Sequence, residues 1–222
     1  MQLNLHENPE LLDDDSLDRL VEVAQSAFNK EGQPEREDVV EHIVPSSTFI
    51  TAEADGDIIG FSSTDRVADT AYAVGLAVHS DYQNQGIGKL ARTYGVLQEM
   101  GDEDIVSTRT QNPAVLGYMQ ELFNAYPRQD EKAPENVGEA LEKVARALDP
   151  DADFEDGVMK EAYPEAMYDE IPDHRLKEFT DELLEYENGD AVIAAGEVSR
   201  QDVEEAYESM VDDRSYDVEV VR

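Results

Sequence analysis

The stretch HSDYQNQGIGKLAR, residues 79–92, follows the apolar run TAYAVGLAV at residues 70–78. The apolar run predicts a strand that is buried on both faces. Apolar residues then recur at helical spacing, which predicts a helix from about Gly86 to Met100. Gly86 and Gly88 therefore lie at a strand–turn–helix junction. Glycines let a ligand approach the backbone closely, and the first-turn N–H groups of a helix have no partner within the helix.

Two common phosphate-binding motifs do not fit this junction. A P-loop needs a glycine at position 83 and a hydroxyl residue after Lys89, where the chain has Gln83 and Leu90. A Rossmann fingerprint begins at the end of its strand, whereas seven residues separate Val78 from Gly86 here. Both readings are therefore rejected.

The hexapeptide Q-x-x-G-x-G, residues 83–88, preceded by LAVHSDY, resembles the acyl-coenzyme A signature of the GNAT superfamily of N-acetyltransferases. The resemblance implies that the pyrophosphate of acetyl-CoA binds at the start of the helix, where the helix dipole favours an anion. It assigns cofactor contacts to the residues Gln83, Asn84, Gln85, Gly86, Ile87, Gly88 and Lys89. It also implies that the preceding strand offers backbone groups of Leu76, Ala77 and Val78 to the pantetheine and the thioester carbonyl.

The segment TQNPAVLGYMQELF, residues 110–123, resembles a second conserved block of the same family. By that resemblance Asn112 contacts the cofactor and Tyr118 donates a proton to the leaving thiolate. Asn112 is one residue closer to the tyrosine than is usual, so Gln111 is an alternative. Leu122 also replaces the family's glycine. Without a ligand, Asn112 reads as a helix N-cap beside Pro113, and Tyr118 as a core aromatic.

The rest of the chain predicts an α/β (α+β) fold with a mixed, mostly antiparallel, twisted sheet of about seven strands flanked by helices. Residues 1–125 follow the order of the GNAT core, including a hairpin at Asp55-Gly56. Residues 126–222 are expected to complete the sheet, near Gly157–Tyr163 and Ala191–Ala195, and to form the acceptor side. We therefore expect a single domain over residues 1–222.

Charge is the unusual feature of the composition. The 222 residues contain 53 acidic and 17 basic residues, for a net charge of −36. Acidic surfaces of this kind resemble those of proteins from salt-loving organisms, in which concentrated salt screens the self-repulsion. Binding of nucleic acid through a basic patch is disfavoured. An acidic protein that sequesters a basic partner is a further hypothesis.

Other site classes have little support in the sequence. There is no cysteine, and the four histidines are scattered, so a metal site is not expected. Asp149, Asp151 and Asp153 begin like a calcium loop, but Phe154 replaces the required glycine. The N-terminus lacks the features of a signal peptide, and no run is long enough to span a membrane. We expect a cytoplasmic protein without membrane or nucleic-acid partners, and a homodimer is left open.

The sequence thus predicts an N-acetyltransferase that uses acetyl-CoA as cosubstrate and a primary amine as acceptor. The acceptor is not identified. The general base is also left unassigned, because residues 71–78 carry no carboxylate and the nearest candidates are Glu53 and Asp65. The alternative is a non-catalytic protein of the same fold that binds acyl-CoA as a sensor or scaffold.

Overall fold

The computed structural model describes residues 1–6, 9, 12–28, 34–43, 46–212 and 219–221. Within these ranges the strands are β1 Gln2–His6, β2 Thr48–Ala54, β3 Asp57–Val67, β4 Thr70–Val78, β5 Glu103–Thr110, β6 Phe154–Glu155, β7 Val158–Met159, β8 Ala191–Ser199 and β9 Glu219–Val221. The helices in the same ranges are α1 Asp14–Phe28, α2 Arg36–Ile43, α3 Ile87–Glu99, α4 Pro113–Leu122, α5 Glu135–Leu148, α6 Lys177–Leu183 and α7 Arg200–Asp212.

The chain divides into two compact units. The first comprises Met1–Asp65, Ala73–Glu99 and Gln201–Arg222, and the second comprises Arg66–Tyr72 and Met100–Arg200. Strand β4 contributes to both, because the division falls between Tyr72 and Ala73. Each unit has its own sheet strands and its own helices.

In the first unit the strands follow the order β4-β3-β2-β1-β9. Strand β2 pairs antiparallel with β1 and β3, and β9 pairs parallel with β1. One core joins α3 to apolar side chains of β1–β3, with Tyr207 and Met210 of α7 packed against it. A separate core joins α1 and Val39 of α2 to Phe49, Phe61 and Ala77 of the sheet. Helices therefore cover both faces of these strands.

Local signals fix several element ends in the first unit. The Asp55-Gly56 hairpin is confirmed, with both residues at positive φ between β2 and β3. The sequence predicts a helix from Asp15 or Ser16 as N-cap to about Asn29, but the carboxylate of Asp13 accepts the hydrogen bond from the Ser16 N–H at 2.8 Å and caps α1. This bond reaches three residues along the chain, which is the usual reach of an N-cap side chain.

In the second unit the strands follow the order β6-β7-β8-β5-β4, and β5 pairs antiparallel with β8 along eight residues. Helices α4 and α5 both pack on β5 and β8. The sequence ENVGEALEKVARAL, residues 135–148, predicts an amphipathic helix. Helix α5 spans these residues, and its apolar stripe of Val137, Ala140, Leu141 and Val144 is buried.

The expected fold class is confirmed as a mixed, mostly antiparallel sheet flanked by helices. The described residues contain more strands than the expected seven, because β6 and β9 are additional. The strand expected at Gly157–Tyr163 is reduced to Val158–Met159. Such two- and three-residue strands have no periodic pattern of their own and exist only through pairing. The sequence also predicts that a second short helix ends near Val44, before Pro45, and this end lies outside the described residues.

Within the described ranges, none of the helices has both the length and the apolar character that crossing a membrane requires.

Candidate functional site

The junction between β4 and α3 has the strand–turn–helix form that the sequence predicts. A short 3-10 turn, Ser80–Tyr82, follows β4, and the chain then reaches α3 at Ile87. Asn84 and Gly86 both adopt positive φ, at 60° and 72°. The N–H of Leu90 donates to the carbonyl of Gly86 at 3.1 Å, so the helical hydrogen bonds begin at Gly86. The N–H groups of residues 87–89 precede this first bond and point out of the helix start.

The turn is attached to the end of α1. The hydroxyl of Ser26 accepts a hydrogen bond from the Ser80 N–H at 3.0 Å and donates to the Ser80 hydroxyl at 2.8 Å. The Gln83 side-chain amide donates to the carbonyls of Val78, at 3.0 Å, and Ala27, at 3.5 Å. Gln83 therefore has a structural contact that the sequence did not indicate, and its role in cofactor binding stays a prediction.

The remaining predicted residues of the turn differ in exposure. Asn84, Gln85 and Lys89 are exposed, Gly86 and Gly88 are half-buried, and Ile87 is buried in the core below α3. A Cβ atom built on Gly88 would lie 3.3 Å from Val78 Cγ2 and 3.4 Å from Leu76 Cδ2. Gly88 therefore lets α3 pack closely on the end of β4. Close packing of the helix on the strand thus accounts for the glycine at position 88.

Strand β4 is apolar but incompletely covered. Val74, Gly75, Leu76 and Val78 are half-buried, whereas Ala71, Ala73 and Ala77 are buried. A strand with neighbours in a sheet and apolar side chains is normally covered on both faces. The partial exposure of Val74, Leu76 and Val78, which alternate along the strand and so share one face, marks a stretch of β4 that a ligand with an apolar chain can contact.

The peptide groups of β4 alternate between its two edges. The Ala77 carbonyl faces β3, since a Cβ built on Gly60 would lie 3.0 Å from it. The His79 N–H also faces β3 and donates to the Ile59 carbonyl at 2.9 Å. In extended backbone, the N–H and C=O groups of one residue point to the same edge of the strand, and those of the next residue point to the other edge. The N–H and C=O groups of Leu76 and Val78 therefore point away from β3, whereas those of Ala77 point towards it.

Asn112 and Tyr118 belong to the second unit. The Asn112 side chain caps α4, where its Oδ1 accepts from the Ala114 N–H at 2.9 Å, and its Nδ2 donates to the Tyr168 hydroxyl at 3.2 Å. The N-cap interpretation is thus confirmed. Gln111 is 2% exposed, donates to the Asp190 carbonyl at 2.8 Å and accepts from the Met167 N–H at 2.7 Å. Its amide is fully engaged inside the second unit.

Tyr118 is 5% exposed and packs edge-to-face on Phe123, with ring centroids 5.4 Å apart. The packing fits a core aromatic, and the proton-donor role stays a prediction. Next to it, a Cβ built on Gly117 would lie 2.4 Å from the imidazole of His174. His174 therefore lies directly against α4 at Gly117, the residue that precedes Tyr118 in the chain. Sequence spacing gave no signal for this contact.

A cleft of about 470 Å³ opens in the second unit. Its lining comprises Ala166, Tyr168, Asp169, Ile171, Glu185, Tyr186, Glu187 and Asn188. Tyr168 is the residue that binds Asn112, so the cleft adjoins the N-cap of α4. Carboxylates and tyrosine rings both interact favourably with a cation.

Two candidate bases are engaged with neighbouring hydroxyls. Glu53 accepts from Thr51 at 3.1 Å, and Asp65 accepts from Ser47. Thr51 in turn lies 3.0 Å from the imidazole of His6. Burial lowers the pKa of His6, which the charge of Glu53 partly opposes. These contacts do not identify either carboxylate, Glu53 or Asp65, as the general base.

Comparison with known proteins gives an independent view of the fold. Residues 17–122 match the family model described as the acetyltransferase (GNAT) family. The ribosomal-protein-S18-alanine N-acetyltransferase of Escherichia coli is similar in structure, with 15% identity, a TM-score of 0.50, and coverage of 89% of this chain and 94% of that chain. No curated protein sequence matches the chain.

Two further solved structures are similar over a smaller share of the chain. One is the paia N-acetyltransferase of Thermoplasma acidophilum in complex with coenzyme A, with 19% identity, a TM-score of 0.43, and coverage of 60% of this chain and 94% of that chain. The other is a GNAT family acetyltransferase of Brucella melitensis in complex with acetyl-CoA, with 13% identity, a TM-score of 0.40, and coverage of 60% and 91%. The matched residues 17–122 contain β4, the glycine turn and α3, so the predicted cofactor contacts from Leu76 to Lys89 lie in the part of the chain that is similar to the GNAT acetyltransferase family.

Proposed function

We propose that this protein is an N-acetyltransferase that transfers the acetyl group of acetyl-CoA to a primary amine by direct attack on the thioester. One observation carries the proposal. Within the family match, a half-exposed apolar strand directs the peptide groups of Leu76 and Val78 to one edge and runs into a helix start with outward N–H groups. An acyl-CoA has an apolar arm and a pyrophosphate, and these two features suit its two parts.

In this proposal the pyrophosphate of acetyl-CoA binds at the start of α3. The backbone N–H groups of Ile87, Gly88 and Lys89 precede the first helical hydrogen bond, and the Lys89 side chain is exposed beside them. A helix terminus typically stabilises an anion by about 0.3–1 kcal/mol, and up to ~2 kcal/mol when it is partly buried. This local attraction is needed because the net charge of −36 repels a phosphorylated ligand.

The reaction needs one nucleophile and two proton transfers. The neutral amine nitrogen forms a bond to the thioester carbonyl carbon, and the carbon–sulfur bond breaks with its electron pair going to sulfur. The attacking nitrogen loses a proton to a base, and the thiolate gains one to leave as the free thiol. Tyr118 is our candidate donor to the thiolate, and the base stays unassigned.

An amine acceptor is positively charged before it loses its proton. The cleft beside the α4 N-cap has three carboxylates and two tyrosines in its lining. These groups favour binding of an ammonium ion. We therefore place the acceptor among cationic amines, and an amine panel should include both singly and doubly charged members.

Binding of acetyl-CoA is the first test. Isothermal calorimetry is carried out on the wild type, on Lys89→Glu, and on Lys143→Glu as the control. Lys143 is also an exposed helical lysine, but lies on α5 in the second unit. Lys89→Glu is preferred to substitution of Gly86, whose positive φ would add backbone strain. Titrations are run from the lowest KCl concentration that keeps the protein folded up to molar KCl.

We expect Lys89→Glu to weaken binding about tenfold at low salt, with a smaller effect in molar KCl because salt screens the charge. Lys143→Glu should bind like the wild type. Thiol release is then measured with the amine panel. Release with any amine supports the transferase, whereas binding without release supports the non-catalytic sensor or scaffold. A folded wild type that binds no acetyl-CoA would exclude both.

A further inference from the structure

Ser63 of β3 and Gly75 of β4 make an unusual contact between neighbouring strands. The Gly75 N–H donates to the Ser63 hydroxyl oxygen at 3.0 Å, so a side chain accepts this backbone hydrogen bond. Ser63 is fully buried. A Cβ built on Gly75 would lie 2.8 Å from the same oxygen, so the contact requires glycine at this position. An isolated glycine inside a strand indicates such a close approach.

This contact belongs to a regular alternation along β4. The Gly75 N–H, the Ala77 carbonyl and the His79 N–H all face β3. Leu76, between Gly75 and Ala77, therefore directs its N–H to the opposite edge. The Gln83 side chain approaches the Val78 carbonyl, which by the same alternation faces that opposite edge. The Ser63 bond thus holds the Val74–Gly75 peptide, which precedes the peptide that carries the Leu76 N–H.

We propose that Ser63 is a positioning residue, which holds the Gly75 peptide on β3 so that the Leu76 N–H is presented to the thioester carbonyl. The inference rests on the proposed function, since it needs acetyl-CoA in contact with β4. During attack the carbonyl oxygen gains negative charge, and an N–H already aimed at it stabilises that charge without reorganisation. Without the Ser63 oxygen, the Gly75 N–H loses this hydrogen bond, which is one of the contacts that hold the backbone before Leu76 on β3.

The test uses Ser63→Ala with Ser62→Ala as a matched control. Ser62 is the adjacent residue of β3 and is equally buried, but its hydroxyl has no hydrogen-bond partner among the described residues. Acetyl-CoA labelled with carbon-13 at the carbonyl is bound to each variant, and the carbonyl resonance is recorded by NMR. The resonance reports hydrogen bonding to the carbonyl in the binary complex, before any acceptor is present. Calorimetry gives the affinity of the same samples.

In the wild type and in Ser62→Ala, we expect the carbonyl resonance to shift on binding in the direction of a stronger hydrogen bond. In Ser63→Ala we expect it to return towards its position in free acetyl-CoA, with the Kd changed less than about threefold. Where turnover is measurable, kcat should fall about tenfold in Ser63→Ala. This is smaller than the loss of 10²–10³ that is typical when an oxyanion donor itself is removed.

A wild-type resonance in folded Ser63→Ala would overturn the inference and leave the proposed function intact. A wild type that binds no acetyl-CoA would overturn both. If Ser63→Ala does not fold, Gly75→Ala tests the contact instead. Its Cβ is expected to force Ser63 away and shift the resonance in the same direction as Ser63→Ala, and an unchanged resonance in Gly75→Ala would contradict the proposal.

Discussion

The glycine turn at residues 79–86 and the segment at residues 160–190 are held in different ways. Several bonds of the turn join residues within four positions, such as the Tyr82 N–H to the His79 carbonyl at 2.8 Å and the Gln83 N–H to the Ser80 carbonyl at 3.3 Å. The second segment depends on Asp190, which is 2% exposed. Its carboxylate accepts from the Lys160 ammonium at 2.6 Å and from the N–H groups of Glu161, at 3.2 Å, and Glu185, at 3.1 Å.

The difference lies in how far apart the partners are in the chain. A turn whose bonds are local is visible as a motif, because its glycines and polar residues follow each other in order. The buried carboxylate of Asp190 has two of its three partners about thirty residues away and no motif that identifies it, because any acidic residue in this acidic chain looks the same. The first region should therefore tolerate loss of single contacts better than the second.

The largest effect is expected from a comparison of two positive-φ glycines. In Gly189→Ala the new Cβ would lie 1.8 Å from the Tyr163 carbonyl oxygen, with φ of 79°. In Gly56→Ala, at φ of 86°, nothing lies within 4 Å. We expect Gly56→Ala to lose about 1–2 kcal/mol from backbone strain alone. Gly189→Ala should lose more than about 4 kcal/mol or fail to fold, because a rigid backbone atom must move.

Denaturant unfolding in molar KCl measures both glycine variants. Similar losses in the two would mean that the segment around Tyr163 yields easily. The long-range region would then be no more tightly specified than the hairpin turn.

A smaller loss, of about 3 kcal/mol, is expected for Asp190→Asn, because it removes the charge opposite Lys160 in a site buried on the carboxylate side. The control is Asp181→Asn, which breaks a pair of exposed residues on α6, Lys177 Nζ to Asp181 Oδ2 at 2.6 Å. Exposed pairs contribute about 0–1 kcal/mol. Equal losses of unfolding free energy in the two variants would show that Asp190 stabilises the fold no more than an exposed ion pair does.

The pH dependence of unfolding checks the same carboxylate. Burial raises the pKa of Asp190, but the hydrogen bonds from Lys160 and from the Glu185 and Glu161 N–H groups outweigh it and lower the pKa below its usual value. The unfolded value is about 3.9, so this stabilisation is complete above about pH 4 and is lost as the pH falls through the lower folded pKa. The difference in unfolding free energy between wild type and Asp190→Asn should therefore shrink below about pH 4.

The smallest effect concerns the long-range attachment of the glycine turn. Ser26→Ala removes both hydrogen bonds to Ser80, whereas Ser80→Ala removes only the bond between the hydroxyls. With about 1 kcal/mol per hydrogen bond, Ser26→Ala should lose about 1–2 kcal/mol and Ser80→Ala about 1 kcal/mol or less. Thermal unfolding of both variants in molar KCl measures this. A larger loss in Ser80→Ala would show that the turn depends on Ser80 for another reason.

Much of the first unit could be predicted because its signals are local and periodic. The apolar run of β4, the Asp55-Gly56 turn and the helical spacing after Gly86 each specify an element within about ten residues. The N-cap at Asn112 and the span of α5 were predictable for the same reason. The short strands β6 and β9 were not, because pairing with a partner strand is their main stabilisation.

Part of the candidate site was likewise predictable from the sequence, and part was not. The motif located the turn and the strand, but it treated Leu76, Ala77 and Val78 alike. Which of them faces away from β3 depends on register, and the structure orients it through the contacts of Gly75, Ala77 and His79 with β3. Ser63 was missed because a serine in a strand has no pattern that identifies its partner.

The sequence by itself determined the fold class and the glycine turn at the start of α3, because each follows from spacing along the chain, and its motifs showed the resemblance to the GNAT acetyltransferases. The tertiary structure decided which peptide groups of β4 face away from β3, how Asp190 holds the segment at residues 160–190 together, and that Gln83 and Ser26 anchor the turn. Those features need partners from other strands and helices. Their hydrogen bonds form only when folding brings distant residues within about 3 Å.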